Sequence, residues 1–228
     1  MERQTFASGG KTAVLYPAAQ AGSPLIVLCE YEGDGMPVVR ALQEMGAPAC
    51  SLLVTGGGEW NRDMSPWAAP AVFKGGEPFT GGADGFLTVL LGQILPEAWG
   101  RIGDTPAFTG LAGYSLAGLF ALYAATKCGL FEAVASCSGS LWYPDFRAYI
   151  TACDAAKLPK AVWLSLGDRE ARTRHPLLQT VEDNTRAIAA VLSERGVRTV
   201  FELNKGNHFH QATLRTAKGV KWLLEQTV

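Results

Sequence analysis

Ser115 stands in the run Leu111-Ala112-Gly113-Tyr114-Ser115-Leu116-Ala117-Gly118, which has the form G-x-S-x-A. A serine hydroxyl is a weak nucleophile until a base takes its proton and an acid orients that base. Small residues two places before and after such a serine let the chain turn sharply from a strand into a helix. Gly113 and Ala117 are those residues. On this turn the hydroxyl stands above the carboxyl edge of a sheet, and the Leu116 N–H falls at a helix N-terminus, where it can stabilise an oxyanion. The motif is short, and a serine that merely caps a helix is the plain alternative. The strand-like run before Ser115 and the helix-like run after it favour the turn.

The chain has three histidines, His175, His208 and His210. On a hydrolase sheet built around such a turn, the order along the chain is serine, acid, histidine, the last two following later strands. Lys160–Leu166 runs into Gly167-Asp168-Arg169-Glu170, and Arg198–Leu203 runs into a loop that holds His208 and His210. His208 is the expected base, with His210 as its competitor. Glu170, three residues after Gly167, is the preferred acid. Asp168, nearer the strand end and shorter, is the alternative, and a Ser–His dyad without either is a third reading. The second oxyanion N–H is expected from Tyr31 or Glu32, in the loop after Pro24–Cys29. Trp60, Trp67 and Trp142 offer apolar pocket walls, and Arg62 offers a planar cation for a carboxylate or sugar oxygen. The plain alternative is that the tryptophans pin their loops and that Arg62 pairs with Asp63.

These residues need a frame that brings strand ends together. Arg3–Ala7 and Thr12–Tyr16 flank Ser8-Gly9-Gly10-Lys11, which reads as a hairpin. Continuous apolar runs at Pro24–Cys29, Ala49–Thr55, Ala107–Ala112, Ala133–Cys137 and Lys160–Leu166 read as strands buried on both faces; Arg198–Leu203 is a further strand. Helical stretches are expected at Pro37–Met45, Ala83–Leu95, Leu116–Thr126, Phe146–Ala152, Leu177–Arg195 and Gln211–Gln226. The second of these should stop before Pro96. Gly56–Gly82, rich in glycine, proline and tryptophan, reads as a long irregular loop, and such loops are often functional. The alternation of strand and helix predicts one α/β domain over 1–228. Its sheet should be mostly parallel, with about eight strands, an N-terminal antiparallel hairpin and helices on both faces.

Composition narrows the partners. Hydrophobic residues make up 48% of the 228-residue chain and charged residues 18%, with a formal net charge of −1. No block of like charge suggests nucleic acid or an anionic membrane surface. No run reaches the roughly 18–20 apolar residues of a membrane helix, and the first residues lack a signal-peptide pattern, so a cytoplasmic location is expected. The five cysteines, Cys29, Cys50, Cys128, Cys137 and Cys153, are widely spaced and read as free thiols. Metal-binding spacings are absent, and the chemistry expected at Ser115 needs no metal or organic cofactor.

Six stretches together resemble the α/β-hydrolase esterase family that includes esterase D-like and enterochelin-esterase-like proteins. They are Trp60–Trp67, Thr80–Asp84, the run around Ser115, Ser138-Gly139-Ser140-Leu141-Trp142, Leu164–Glu170 and Gly206-Asn207-His208-Phe209. The resemblance implies an α/β-hydrolase fold and hydrolysis of carboxylic esters through an acyl-enzyme on Ser115. It leaves the substrate open, because relatives act on siderophores, on feruloyl and acetyl sugars, or in acyl transfer. The short chain and the apparent lack of a secretion signal argue against a periplasmic siderophore role. The rival readings are an acyltransferase on the same residues and a catalytically silent binding protein.

Overall fold

The structure, a computed structural model, describes residues 3–226. The chain opens on an antiparallel hairpin of β1 (Gln4–Ser8) and β2 (Lys11–Tyr16), closed at Gly9–Gly10. β3 (Leu25–Glu30), α1 (Met36–Glu44) and β4 (Ser51–Gly56) follow. The long segment to Gly82 has more order than its sequence suggests. It holds a short helix, α2 (Trp60–Asp63), and a two-stranded antiparallel ribbon of β5 (Ala68–Ala69) and β6 (Phe79–Thr80). The remaining elements alternate: α3 (Ala83–Val89), α4 (Leu95–Ile102), β7 (Thr109–Tyr114), α5 (Leu116–Lys127), β8 (Phe131–Cys137), α6 (Phe146–Ala152), β9 (Ala161–Gly167), α7 (Val181–Glu194), β10 (Arg198–Asn204) and α8 (Ala212–Leu224).

One expectation fails here. The helix that starts at Ala83 does not stop before Pro96. A widened π-turn at Leu90–Ile94 links α3 to α4, and Pro96 sits in the first turn of α4. The wider turn shifts the hydrogen-bond ladder where proline has no N–H to donate, and the helical path continues.

The main sheet has eight strands in the order β1-β2-β4-β3-β7-β8-β9-β10. β1, β2 and β4 pair antiparallel along that edge, and every later neighbour pair is parallel. The chain passes from β3 to β4 on one side, then returns to place β7 on the other. β3 and β7 therefore flank the point where the strand order reverses, which in parallel sheets opens a crevice at the carboxyl ends. Cys29 of β3 lies opposite Gly113 of β7, so the loop after β3 stands beside the turn at Ser115. This is the topology of the α/β-hydrolase fold.

Both faces of the sheet are covered. Leu25, Val27, Leu111, Val134, Val162 and Leu164 belong to the core shared with α3, α5 and α7. Their alternates, Ile26, Leu28, Ala112, Ala133, Ala135 and Ala161, join the core that includes Val38, Leu42, Val220 and Leu223 of α1 and α8. Residues 116–126 of α5 are all buried, which explains their unbroken apolar sequence. Cys29, Cys50 and Cys137 are buried free thiols, and burial pushes each up to about 12. Among the described residues no helix is long and apolar enough to cross a membrane.

Candidate active site

Ser115 follows β7 with φ 58° and ψ −121°. A non-glycine residue held there costs about 1–3 kcal/mol and persists only where its surroundings fix it. The Ser115 N–H donates to Cys137 O at 3.0 Å, and its carbonyl accepts from the N–H groups of Gly118, Leu119 and Ser140. A Cβ at Gly113 would lie 2.4 Å from the Ala117 carbonyl oxygen. The spacing of small residues is thus a steric requirement of this turn. Leu116 opens α5, where the first N–H groups have no partner within the helix.

His208 and Glu170 converge on this serine. His208 Nε2 lies 3.0 Å from Ser115 Oγ, and Nδ1 lies 2.6 Å from Glu170 Oε2. An ionised carboxylate only accepts, so Nδ1 carries the proton and Nε2 is free to accept from the serine hydroxyl. Burial alone would raise the Glu170 pKa. The hydrogen bond and charge of His208, the Gly167 N–H and the Ser138 hydroxyl outweigh it and hold Glu170 below the usual carboxylate range. Its two oxygens divide the work. Oε2 faces His208, while Oε1 accepts from Gly167 N at 2.6 Å, Ser138 Oγ at 2.8 Å and Arg215 Nη1 at 3.0 Å.

Sequence reasoning missed Arg215. It is 2% exposed, on the sheet-facing side of α8. Its guanidinium also donates to Ser138 Oγ, to Tyr114 OH, and to the carbonyls of Lys205 and Asn207 in the loop that carries His208. Tyr114 in turn donates to the His208 carbonyl at 2.6 Å. A Cβ at Gly167 would lie 2.8 Å from Arg215 Nη2 and 2.3 Å from Gly206 O, so glycine is required where the three meet. One signal was available: an arginine at a position of α8 whose neighbours at 216, 219, 220 and 223 all face the core.

Several expected site residues lie elsewhere. Asp168 does not reach His208. Its Oδ1 accepts from Gly206 N at 2.8 Å, so it pins the base loop from the side. The His210 ring lies against Gly206, and its backbone N–H donates to Asn207 O. Trp67 is not a pocket wall. It packs among Tyr123, Tyr143, Phe146 and Tyr149 and donates its indole N–H to Pro144 O. Arg62 is not a free cation, because it pairs with Glu59 and with the buried carboxylate of Asp63, which Lys11 also contacts. Burying Asp63 requires cationic partners, and Arg62 is one of them.

Two cavities open on Ser115 and His208. The larger, about 650 Å³, lies over the switch point and is lined by Tyr31, Glu32, Trp60, Tyr114 and Thr216, among others. The smaller, about 320 Å³, lies on the other side and is lined by Phe73, Ser140, Trp142, Leu178 and Val181. Trp60 and Trp142 thus reach the site as pocket walls. Ser140 Oγ stands 3.4 Å from Ser115 Oγ.

The family model described as "Putative esterase" matches residues 37–212. The Bacillus subtilis (strain 168) protein "Uncharacterized protein YbbA" is 26% identical over 138 residues, 59% of this chain. The match spans 55% of that relative's length. Among solved structures, an IroE-like serine hydrolase from Shewanella oneidensis superposes with a TM-score of 0.82 at 17% identity, covering 98% of this chain and 80% of that one. The siderophore hydrolase EstA from Aspergillus nidulans gives 0.75 at 17% identity, covering 98% and 93%. The enterobactin esterase FES from Shigella flexneri gives 0.70 at 19%, covering 97% and 58%. At these identities the likeness to solved structures is one of fold.

Proposed function

The chain belongs to this esterase family, and from that premise we propose that it is a serine esterase working through an acyl-enzyme on Ser115. The observation that carries the reading is the unbroken series Ser115 Oγ, His208 Nε2, His208 Nδ1 and Glu170 Oε2, at 3.0 and 2.6 Å, beneath two cavities. His208 accepts the hydroxyl proton as Oγ attacks the ester carbonyl. Glu170 keeps the imidazole in the right tautomer and stabilises its charged form. The Leu116 N–H, at the start of α5, and the Tyr31 N–H, from the loop after β3, are the proposed donors to the oxyanion. His208 then protonates the leaving alcohol, and water repeats the sequence on the acyl-enzyme.

The two cavities on opposite sides of Ser115 suit an ester whose acyl and alcohol portions part at the serine. The test is direct. A fluorophosphonate should label Ser115, as read by peptide mass spectrometry, and p-nitrophenyl esters should be hydrolysed by the wild type and not by Ser115→Ala. A folded Ser115→Ala protein with wild-type turnover would sink the assignment.

A further inference from the structure

Among the described residues four large apolar side chains are markedly exposed: Tyr31 at 58%, Phe73 at 69%, Leu203 at 42% and Phe209 at 86%. Tyr31, Phe73 and Phe209 come from three separate loops, and all line a cavity that contains Ser115. Singly exposed apolar residues are common, but three aromatic rings around the two cavities that share Ser115 point to a contact surface. Phe209 is the most exposed and the most central. It lines both cavities, and its ring meets the His208 ring edge-on at 5.3 Å.

The loop that carries Phe209 is held on all sides. Arg215 donates to Lys205 O and Asn207 O, Tyr114 donates to His208 O, and the Asn207 side chain accepts from Phe209 N–H at 3.1 Å. A ring kept in water by a pinned backbone needs little further ordering when a ligand covers it, so more of its burial appears as affinity. Charge narrows the ligand. No lysine or arginine lines either cavity, whereas Glu30 and Glu32 line the larger one. Anionic groups are therefore disfavoured in the larger cavity and find no lysine or arginine in the smaller one.

We propose that Phe209 is a specificity-determining residue, the shared wall between the two cavities, covered by an uncharged ester that carries an apolar group on each side of the scissile carbonyl. Phe73 and Tyr31 flank the two outer ends. This inference rests on the serine-esterase reading above for where the scissile bond lies.

The test uses three fluorophosphonates: one with two small arms, one with a single benzyl arm, and one with benzyl arms on both sides. In each, the Ser115 Oγ–P bond forms, the P–F bond breaks, fluoride leaves, and the hydroxyl proton passes to His208. Wild type should react about tenfold faster with the two-armed probe than with the one-armed probe, as covering part of an aromatic ring predicts. Phe209→Ala should erase that gain with its melting temperature unchanged, and Phe209→Leu should keep most of it. A Phe209→Ala protein that retains the full gain overturns the proposal. A second measurement needs no nucleophile. In Ser115→Ala, a symmetrical ketone with a phenyl group on each arm should bind, read by tryptophan fluorescence, and adding Phe209→Ala should weaken it about tenfold. Phe209-dependent ketone binding without any labelling of wild type would sink the nucleophile assignment, and with it the placing of the scissile bond, while upholding Phe209 as the shared wall of the two cavities. Labelling of Ser115 with a gain indifferent to Phe209 would do the reverse.

Discussion

Beneath Ser115 the polar groups gathered around Glu170 and Arg215 are nearly all engaged, although the Ser136 and Ser165 hydroxyls farther down β8 and β9 have no partner, while the loops above leave aromatic rings in solvent. Glu170 alone has four hydrogen-bond partners, and Arg215 ties it to Ser138, Tyr114 and two carbonyls of the His208 loop. Only the Arg215 Nε in that group has no partner. The rim rings Tyr31, Phe73 and Phe209 have most of their surface in water. The contrast separates two tasks. The floor must keep one geometry, so its charges are buried and cross-braced. On the proposal above, the rim meets a ligand from outside the chain, which accounts for its uncovered apolar surface. Substitutions in the floor should change the rate of the chemical step, and substitutions in the rim should change which ester is preferred.

The sharpest attempt to break this division is at the nucleophile and base. Ser115→Ala and His208→Ala should each lower kcat by about 10⁴–10⁶, with fold and ligand binding kept, as checked by circular dichroism and ketone titration. His210→Ala should stay within a fewfold of wild type, because its ring faces Gly206 and not the serine. A severe loss in His210→Ala would mean that the wrong histidine has been placed in the floor.

The acid comes next. Glu170→Gln keeps the shape and removes the charge, and it should cost about 10²–10⁴ in kcat with KM little changed. Asp168→Asn should cost far less, since its carboxylate holds the Gly206 N–H and does not touch His208. Arg215→Met should fall between them in rate and exceed both in stability loss. Removing one partner of a buried ion pair costs about 3–5 kcal/mol, which denaturant melts would read. If Asp168→Asn were the inactive variant, the division of labour between the two carboxylates would be reversed.

How much of this the sequence carried follows from what each residue needs locally. The meeting of Ser115 and His208 was legible because the turn at Ser115 demands small neighbours and because both residues follow strand-like runs, in the chain order expected of a serine and its base. Glu170 over Asp168 was only a preference, since two carboxylates two residues apart differ in direction and not in composition. Arg215 lies 45 residues from Glu170 along the chain; its place among core-facing positions of α8 hints at burial, but no local pattern says which carboxylate it meets. Trp67 and Arg62 misled for a related reason. Both have the chemistry of a pocket wall, but the aromatic neighbours of Trp67 and the buried Asp63 beside Arg62 claim them first. The central strands β3, β4, β7, β8 and β9 were legible because buried parallel strands are nearly continuous apolar runs, whereas the two-residue strands β5 and β6 are too short to leave a pattern. The passage through Pro96 was not, because a π-turn leaves no distinctive sequence.

Acid titration sharpens the account of the floor. The native Glu170 pKa is depressed below its unfolded value. The ionised group therefore contributes stability that is fully present above the ordinary carboxylate value of about 4.3. That contribution is lost as pH falls through the lower native value. The difference in unfolding free energy between wild type and Glu170→Gln should be flat above about pH 5.5 and should shrink steadily below about pH 4. Urea melts across pH 3–7 give the curve. A difference that widens in acid would mean that Glu170 is protonated in the native protein.

The smallest effects on catalysis should come from the segment between floor and rim, where Trp67 and Arg62 hold the loop and do not line the spaces around Ser115. Trp67 sits inside its aromatic cluster, so Trp67→Ala should destabilise the protein by about 3–5 kcal/mol while leaving the ester preference of the folded fraction alone. Trp142→Ala, at the wall of the smaller cavity, should do the opposite: raise KM for esters with a bulky group on that side, with a modest stability loss. Arg62→Ala lies below both. Its guanidinium is about half exposed, and Asp63 keeps Lys11 as a partner when Arg62 is gone. A pair of that kind is worth about 0–1 kcal/mol, so the melting temperature should drop by a few degrees at most. Arg62 lines a neighbouring cavity with Glu59 and Glu77 and does not line either space that contains Ser115. KM for neutral esters should therefore not change in Arg62→Ala. A tenfold rise in KM, confined to esters bearing a carboxylate, would show that Arg62 leaves Asp63 for the substrate, and the boundary drawn here between loop anchor and rim would have to move.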